Sequence, residues 1–361
     1  MKSKARVIAF YLPQFYPTPE NDEWWEPGFT EWTNVARAKP LFKGHYQPRI
    51  PRDLSFYDLR VPETREKQAA FAREAGIEGF CYWHYWFGNG KRLLADVFRE
   101  VVETGKPDFP FCLCWANHSW YAKTWDPNIP DKLLIEQTYP GKEDYIAHFE
   151  EMLPAFKDKR YMKTSDGKLI FGVFSSYDNP DQQLFFDTWN KLAEENGLNG
   201  FEFFAFIQGP NQLAKLPEGL YDRVVYDALN DTYKQYSDHS FTRYKNSIKV
   251  RLGLPIKLAN YCDYVSAAIH RFKELSSFTP CIDPMFDHSP RSANRSIILH
   301  NNSPKLWGEL CIKTRQLVEA NEDKDNLLFI KAWNEWGEGN YMEPDSKYGK
   351  ASIEQAGKAF K

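Results

Sequence analysis

The chain has 361 residues, of which 42% are hydrophobic and 26% are charged, and its 46 basic and 49 acidic side chains leave a net charge of −3. This composition predicts a packed core instead of disorder. The nearly even charge balance excludes a protein whose main partner is nucleic acid or an anionic membrane.

No apolar run approaches the roughly 18 residues that a membrane helix needs, so no membrane span is expected. The N-terminal stretch is basic and partly apolar, but Pro13 and Gln14 interrupt it and no small-residue cleavage site follows. A cytoplasmic protein is therefore expected. A leader already removed from the sequence would leave a periplasmic or surface location open.

Short apolar runs alternate with amphipathic stretches along the whole chain. The predicted strands are residues 5–11, 77–83, 109–117, 168–174, 201–207, 223–229, 278–284 and 327–333. The predicted helices are residues 62–76, 91–105, 143–158, 181–197, 260–275, 304–321 and 352–360. Strands that alternate with helices favour a parallel sheet. Eight such units predict one α/β fold, a closed (β/α)8 TIM barrel that forms a single catalytic domain over residues 1–361.

Two segments, residues 12–61 and 118–140, are long and rich in aromatic residues and proline, and they are expected to form ordered loops over the C-terminal face of the barrel. Active sites of this fold lie at that face, so residues that follow the strands should converge there. The candidate substrate-binding residues are Tyr11, Gln14, Trp32, Trp83, His84, Trp86, Trp115, Asn117, His118, Trp120, Asp227, Asn334 and Trp336. Asp283, Asp287 and His288 also follow a predicted strand. Amides, imidazoles, carboxylates and indoles together suit a sugar, which combines hydroxyl groups with apolar C–H faces.

Two glutamates, Glu335 and Glu338, follow the last predicted strand, and each lies within two residues of a tryptophan. Paired carboxyl groups are the usual apparatus for breaking a glycosidic bond, because one must be protonated while the other is ionised. Gly337 makes it plausible that the chain turns between them, so that both reach one site. The structural alternative is that one glutamate caps the turn or pairs with Lys331 or an arginine.

Other catalytic apparatus is not indicated, and neither a cofactor nor a metal ion is expected. Cys112 and Cys114 should face the same side of one strand, but no second cysteine pair or nearby histidine completes a zinc pattern. Asp323 and Asp325 match the loose D-x-D pattern of metal-dependent sugar transferases, yet they precede the last strand and so belong to the opposite end of the barrel. The chain has neither of the common phosphate-binding loops and no nucleophile elbow.

Five segments, in this order, resemble the WbsX family: AFYLPQFYP, EWWEPGFTEWTNVARAKPLFKGHYQPRIP, FCYWHYWF, LCWANHSW and FIKAWNEWGEGNYMEPD. Members of that family are usually labelled glycosyltransferases and are found in O-antigen and capsular polysaccharide loci, and the resemblance covers essentially the whole chain. The sequence is also similar to glycoside hydrolase family 99, the endo-α-mannosidases and endo-mannanases, most closely at AFYLPQFYP and NEWGEG.

This resemblance implies a role for each glutamate. By matching position, Glu335 would remove the proton of the sugar 2-hydroxyl, so that a 1,2-anhydro intermediate forms. Glu338 would act as general acid and then as general base, and the configuration would be retained. Residues 18–48 differ from the sugar-contacting segments of family 99, so the resemblance does not carry mannose specificity.

Three functions are compatible with these features. The first is a retaining, endo-acting glycoside hydrolase that cleaves an oligo- or polysaccharide. The second is a glycosyltransferase of surface polysaccharide biosynthesis, and the third is a non-catalytic glycan-binding barrel. For the first, the carboxyl groups of Glu335 and Glu338 should lie roughly 5–8 Å apart, and Glu338 should lie in the drier setting of the two and have its pKa raised. At least two of Trp83, Trp86, Trp115, Trp120 and Trp336 should be exposed in the cleft.

Overall fold

The structure, a computed structural model, describes residues 4–122, 130–231, 248–249, 251–255, 257–321 and 325–361. Eight parallel strands close into a barrel in which each strand pairs with its neighbours in chain order, the eighth with the first. The barrel strands are Arg6–Tyr11, Gly79–His84, Phe111–Trp115, Leu169–Val173, Phe201–Ile207, Arg223–Asp227, Thr279–Ile282 and Leu327–Ile330. The predicted TIM barrel is confirmed, and every barrel strand overlaps a segment predicted as a strand, with only Gly79–His84 extending past its segment, by one residue.

Helices follow the strands and cover the outside of the barrel. The main helices are Pro62–Glu74, Asp96–Thr104, Lys142–Phe156, Gln182–Glu195, Tyr261–Glu274, Pro304–Ala320 and Ala351–Phe360, and the short helix Pro210–Leu213 joins the fifth and sixth strands. The second helix was predicted from residue 91 but begins at Asp96, because Leu94 adopts a φ of +53° that an α-helix excludes. Within the described residues, no helix combines the length and apolar character needed to cross a membrane.

Several short elements, which the sequence did not predict, lie in the loops between the barrel strands. They are the helices Pro19–Trp24, Glu31–Arg37 and Ser289–Ser292, the 3-10 turns Ala293–Arg295 and Trp336–Glu338, the antiparallel pairs Trp120–Ala122 with Lys132–Ile135 and Asn334–Glu335 with Asn340–Tyr341, and the parallel pair Lys257–Asn260 with Ile297–His300. Elements of two to seven residues carry too little hydrophobic periodicity to be recognised. Of the predicted features, residues 123–129 of the second long loop and Asp323 lie outside the described residues.

Successive side chains of each barrel strand alternate between the barrel interior and the helix layer. Phe10 faces the interior, where its ring lies 4.6 Å from that of Trp83 and 5.2 Å from that of Phe206. Tyr11, the next residue, faces the helices, and its hydroxyl donates a hydrogen bond of 2.7 Å to Gln68. This alternation decides which residues of each strand can reach a site at the rim.

The loop after the eighth strand is anchored to the barrel by one buried carboxylate, Glu343. Its Oε1 accepts hydrogen bonds from the indole of Trp333 at 3.1 Å and from Gln68 at 2.6 Å. Its Oε2 accepts from the indole of Trp336 at 2.6 Å and from the hydroxyl of Tyr57 at 2.8 Å. Burial raises the pKa of Glu343 to about 7, and the four hydrogen bonds oppose that rise. The two tryptophans beside the glutamate pair therefore hold the loop in place.

Replacing Glu343 with glutamine is expected to lower the free energy of unfolding by about 2–4 kcal/mol. Each oxygen of the Glu343 carboxylate accepts a hydrogen bond from one indole. The NH2 group of a glutamine would replace one of these oxygens and would therefore face a tryptophan N–H, which is also a donor. Tyr57→Phe is the matched control, because it removes one donor, keeps the carboxylate and should cost about 1 kcal/mol. Urea unfolding of both variants measures the difference, and equal stabilities would contradict this account of the anchor.

Candidate active site

Glu335 and Glu338 lie on one tight turn at the C-terminal end of the barrel. The strand Asn334–Glu335 and the 3-10 turn Trp336–Glu338 form this turn. Nη1 of Arg291 contacts Oε1 of Glu335 at 3.3 Å and Oε1 of Glu338 at 2.7 Å. Since one nitrogen contacts both oxygens, these oxygens lie no more than about 6 Å apart, an upper limit that allows the spacing of about 5–5.5 Å between the carboxyl groups of retaining glycosidases. The two side chains thus point to the same site, with a separation whose upper limit falls inside the predicted range.

A third carboxylate, that of Glu31, contacts the same guanidinium from its other edge. Nε of Arg291 donates to Oε2 of Glu31 at 3.1 Å. Glu31 begins the short helix Glu31–Arg37, and Arg291 belongs to the helix Ser289–Ser292 after the seventh barrel strand. The backbone of Gly337 passes so close that a Cβ atom there would lie 1.9 Å from Glu31 Oε2 and 2.9 Å from Arg291 Nε. The glycine between the two glutamates therefore makes room for this contact.

The two glutamates differ in proton affinity. Burial and the negative charge of Glu338 raise the pKa of Glu335 to about 7, against the opposing charge of Arg291. Burial acts in the same direction on Glu338, but Arg291 and His288 outweigh it and lower the pKa of that carboxyl. Between the lowered pKa of Glu338 and about pH 7, the pair therefore favours a single proton, on Glu335.

The expectation that Glu338 lies in the drier setting with a raised pKa is wrong. The side chain of Glu335 is 11% exposed and that of Glu338 is 19% exposed. Glu338 forms the shorter contact with Arg291, and Nε2 of His288 lies 3.8 Å from it. Glu338 thus forms an ion pair with an arginine, the alternative considered from the sequence, and it also shares one site with Glu335.

The turn is also supported from the side of the seventh barrel strand, through Asp287. The backbone N–H of Asp287 donates to the carbonyl oxygen of Glu338 at 2.7 Å. The Asp287 carboxylate accepts from His45 Nε2 at 2.8 Å and from Gln47 Nε2 at 2.7 Å. Gly339 adopts a φ of +52°, and a Cβ atom there would lie 2.9 Å from that of Asp287. The second glycine of the motif thus permits both the turn and its close packing.

Lys331 places a buried positive charge near both glutamates. Its Nζ lies 3.2 Å from Oδ2 of Asp227 and 4.5 Å from the ring centre of Phe206 in the barrel interior. The charge of Lys331 lowers the pKa of Glu335 and that of Glu338. Asp227 was predicted to bind substrate, but it is fully buried, and the structure places it as the counter-ion of Lys331.

The segment WHYW, residues 83–86, divides between two layers. Trp83 faces the barrel interior, whereas His84 and Trp86 face the helix Lys142–Phe156. There Nε2 of His84 lies 2.7 Å from Nε2 of His148, and the indole of Trp86 stacks on the His148 ring at 4.6 Å. His84 and Trp86, both predicted to bind substrate, are therefore placed away from the glutamates.

The expectation of at least two cleft-exposed indoles is also wrong. Trp83, Trp86, Trp115 and Trp336 are buried, and Trp120 is half-buried. The physical reason is that the indole N–H groups find partners inside the protein. Trp86 donates to Asp144 at 2.9 Å, and Trp115 donates to the backbone oxygen of Trp86 at 2.8 Å.

Other predicted ligands turn out to fasten loops to one another. The side-chain amide of Asn334 binds the backbone of Leu12 at both its N–H (2.8 Å) and its carbonyl oxygen (3.0 Å). Asn117 holds the backbone of Ser175 in the same way, at 2.8 and 3.1 Å. Tyr11, bonded to a helix of the outer layer, is likewise placed away from the rim.

Trp32 packs behind the glutamate turn, with its ring 5.5 Å from that of Trp336 and its indole donating to the backbone of Tyr57 at 2.7 Å. Its position is that of a support for the turn. Gln14 and His118 are half-buried. The His118 ring lies 5.2 Å from that of Phe174, and burial lowers its pKa.

Four residues near the pair were absent from the predicted set: Glu31, Tyr85, His288 and Arg291. Tyr85 lies close enough to Glu335 that the glutamate, after burial, is the main cause of its raised pKa. Its ring also lies 5.2 Å from that of Trp120, which joins that half-buried indole to the site. Strand alternation places Tyr85 on the same side as Trp83 once the structure shows that Trp83 faces the interior. His288 follows a predicted strand, but no local signal marks Arg291 or Glu31.

Comparison with solved structures shows the same fold at low sequence identity. A glycoside hydrolase-like protein superimposes with a TM-score of 0.62 at 14% identity, over 99% of this chain and 94% of that protein. The family 99 endo-α-mannosidase of Bacteroides thetaiotaomicron gives a TM-score of 0.57 at 12% identity, over 98% of this chain and 95% of that enzyme.

Sequence comparison identifies the family. The proteins described as "Uncharacterized protein WxcX" from two strains of Xanthomonas campestris pv. campestris are 34% identical to 99% of this chain, which spans about half of their length. The family model described as "Glycosyltransferase WbsX" matches residues 7–356. The family match and the shared fold each extend over nearly the whole chain. The chain belongs to the WbsX glycosyltransferase family.

Proposed function

We propose that the protein is a glycoside hydrolase that cleaves an oligo- or polysaccharide, with Glu335 and Glu338 as its two catalytic groups. The observation that carries this proposal is the unequal pair: two carboxyl groups on one turn, with pKa values displaced in opposite directions. Glycosidic cleavage requires one protonated and one ionised carboxyl group at the same time. The turn provides both at neutral to mildly acidic pH.

The short separation supports a reaction that retains configuration. Inverting enzymes need room for a water molecule between the sugar and the base, with carboxyl groups about 6.5–9.5 Å apart. Here one guanidinium nitrogen bridges the two carboxylates. In the mechanism that the family 99 resemblance implies, Glu335 takes the proton of the sugar 2-hydroxyl. The oxygen of that hydroxyl attacks the anomeric carbon at the same time. Glu338 protonates the leaving oxygen, and water then opens the 1,2-anhydro ring.

The charge state of the free protein favours the opposite distribution of roles. Glu335 holds the proton and Glu338 is ionised. For Glu338 to act as the acid, the proton has to pass from Glu335 to Glu338 when the glycan binds. A substrate with an activated aryl leaving group separates the two assignments, because the variant that lacks the acid retains cleavage of such a substrate whereas the variant that lacks the base does not.

Endo action is the part of the proposal that rests on similarity. The superimposed family 99 enzyme is an endo-α-mannosidase, and this chain shares its fold. A half-buried indole, Trp120, lies beside Tyr85 at the edge of the site, where a further sugar ring of a longer chain could pack.

Sugar transfer is the second candidate, because the family model carries the name of a glycosyltransferase. A transferase needs an activated sugar donor. Titration calorimetry with a panel of nucleotide sugars tests this directly: micromolar binding that is lost in Glu335→Gln and Glu338→Gln would favour transfer over hydrolysis.

Incubation with a library of bacterial and yeast polysaccharides, with products identified by mass spectrometry, is expected to reveal cleavage by the native protein. Glu335→Gln and Glu338→Gln should each reduce the rate by roughly 10²–10⁴-fold, because each removes one proton-transfer group. The surface variant Glu26→Gln is the control and should keep the native rate. A fully active Glu338→Gln would refute the assignment, and binding without cleavage by the native protein would favour a non-catalytic barrel.

Activity is expected to follow a bell-shaped pH profile. The rate should fall as pH rises through about 7, because Glu335 then loses its proton and the pair has no acid. It should fall again at acid pH, below the usual carboxyl range, where Glu338 takes up a proton and the pair has no base. The two limbs belong to the coupled pair whichever residue acts as acid. Initial rates from pH 3 to 9 measure the profile, and a basic limb well above 7 would contradict it.

A further inference from the structure

Glu31 is a third carboxylate in the site, and the proposed reaction makes no use of it. Its side chain is 12% exposed, and its Oε2 lies 3.1 Å from Nε of Arg291. It comes from the first long loop, 260 residues before its partner. The ion pair of Glu31 is with Arg291, the residue that also contacts Glu335 and Glu338, so Glu31 can influence the pair through the position of this arginine and through its own charge.

Glu31 occupies one edge of the guanidinium while the glutamate pair occupies the other. Nε of Arg291 faces Glu31, and Nη1 faces Glu335 and Glu338. A planar group held at both edges has a fixed orientation. The close passage of the Gly337 backbone leaves Glu31 and Arg291 no space to move toward that glycine.

Glu31 also affects how the positive charge of Arg291 acts on the glutamate pair. Arg291 carries one positive charge and is surrounded by three carboxyl groups, each of which raises its pKa. The charge of Glu31 opposes the influence of Arg291 on Glu335 and favours the protonated form of that residue. Without Glu31, the positive charge of Arg291 would stabilise the ionised forms of Glu335 and Glu338 more strongly.

We propose that Glu31 is a positioning residue of the catalytic pair: it holds Arg291 between Glu335 and Glu338 and offsets part of the positive charge of that arginine. The catalytic meaning of this inference rests on the proposed function. The charge distribution itself is a property of the free protein.

The pair is surrounded by groups of both signs. The charged and titratable groups that interact with Arg291 or with the pair are Glu31, Tyr85, Asp227, His288 and Lys331, and Asp287 acts on His288. Arg291 and Lys331 lower the pKa of Glu335, whereas Glu338 and Glu31 raise it. Removing the charge of Glu31 should therefore lower the pKa of Glu335.

The decisive variant is Glu31→Gln, which removes the charge but keeps an oxygen that can accept the hydrogen bond from Arg291 Nε. Glu26→Gln is the matched control: the same change in the same loop, at a surface residue paired with Arg37 at 2.8 Å. Carbon-13 NMR titration of the glutamate carboxyl groups in the free protein measures the midpoint of Glu335, whose signal is assigned by its loss in Glu335→Gln.

The midpoint of Glu335 is expected to fall by about one pH unit in Glu31→Gln and to stay unchanged in Glu26→Gln. Glu31→Asp, which restores the charge, should return it most of the way. Glu31→Ala serves the same test if Glu31→Gln does not fold. An unchanged midpoint in the charge-removing variant, or an equal shift in Glu26→Gln, would overturn the inference.

This titration needs no substrate, so its outcome is distinguishable from failure of the proposed function. If the midpoint moves but no glycan is cleaved, the role of Glu31 stands and the hydrolase proposal fails. If cleavage is found and the midpoint of Glu335 does not move, the hydrolase proposal stands and the role of Glu31 fails. If both proposals hold, the basic limb of the activity profile should shift to lower pH together with the midpoint of Glu335.

Discussion

The site depends on one shared donor, Nη1 of Arg291, which lies 2.7 Å from Glu338 and 3.3 Å from Glu335. Two buried carboxyl groups so close together resist ionising at the same time. The guanidinium of Arg291 lies between them and stabilises one negative charge. Because its contact with Glu338 is the shorter one, it stabilises the ionised form of Glu338 more than that of Glu335. Three loops from different parts of the chain meet to create this arrangement, and much of the rim architecture serves to bring them together.

Two buried carboxylates, Glu343 and Asp287, hold the glutamate turn from either side. Glu343 accepts the indoles of Trp333 and Trp336, and Asp287 donates its backbone N–H to Glu338 and packs against Gly339. Trp333, Trp336 and the two glycines thus fix the backbone of the turn, and the carboxyl groups of Glu335 and Glu338 contact Arg291. Catalytic groups in general need such support, because a shift of about 1 Å can cost catalysis heavily.

The sequence predicted the barrel because each strand is a short apolar run bounded by glycine, proline or polar residues, and it predicted the glutamate pair because both residues follow the last strand. It could not tell which side chains face the interior, since strands of a parallel barrel are buried on both faces and lack a polar side. His84 and Trp86 were therefore preferred over Tyr85. The displacement of the pKa values was assigned to the wrong glutamate because it depends on Arg291, whose contacts with Glu31 and the pair span 260 and 44–47 residues.

The barrel closes at a seam, the pairing of its first and eighth strands. Beside this seam, the side chain of Asn334 forms two hydrogen bonds with the backbone of Leu12. The residues that complete the seam are also those that lead into the glutamate turn. A chain that lacks the strand Leu327–Ile330 and the turn Trp336–Glu338 has neither a closed sheet nor a glutamate pair. Closure of the barrel and assembly of the pair are thus coupled, and an open intermediate would leave its first strand unpaired along one edge, as a template for pairing with another chain.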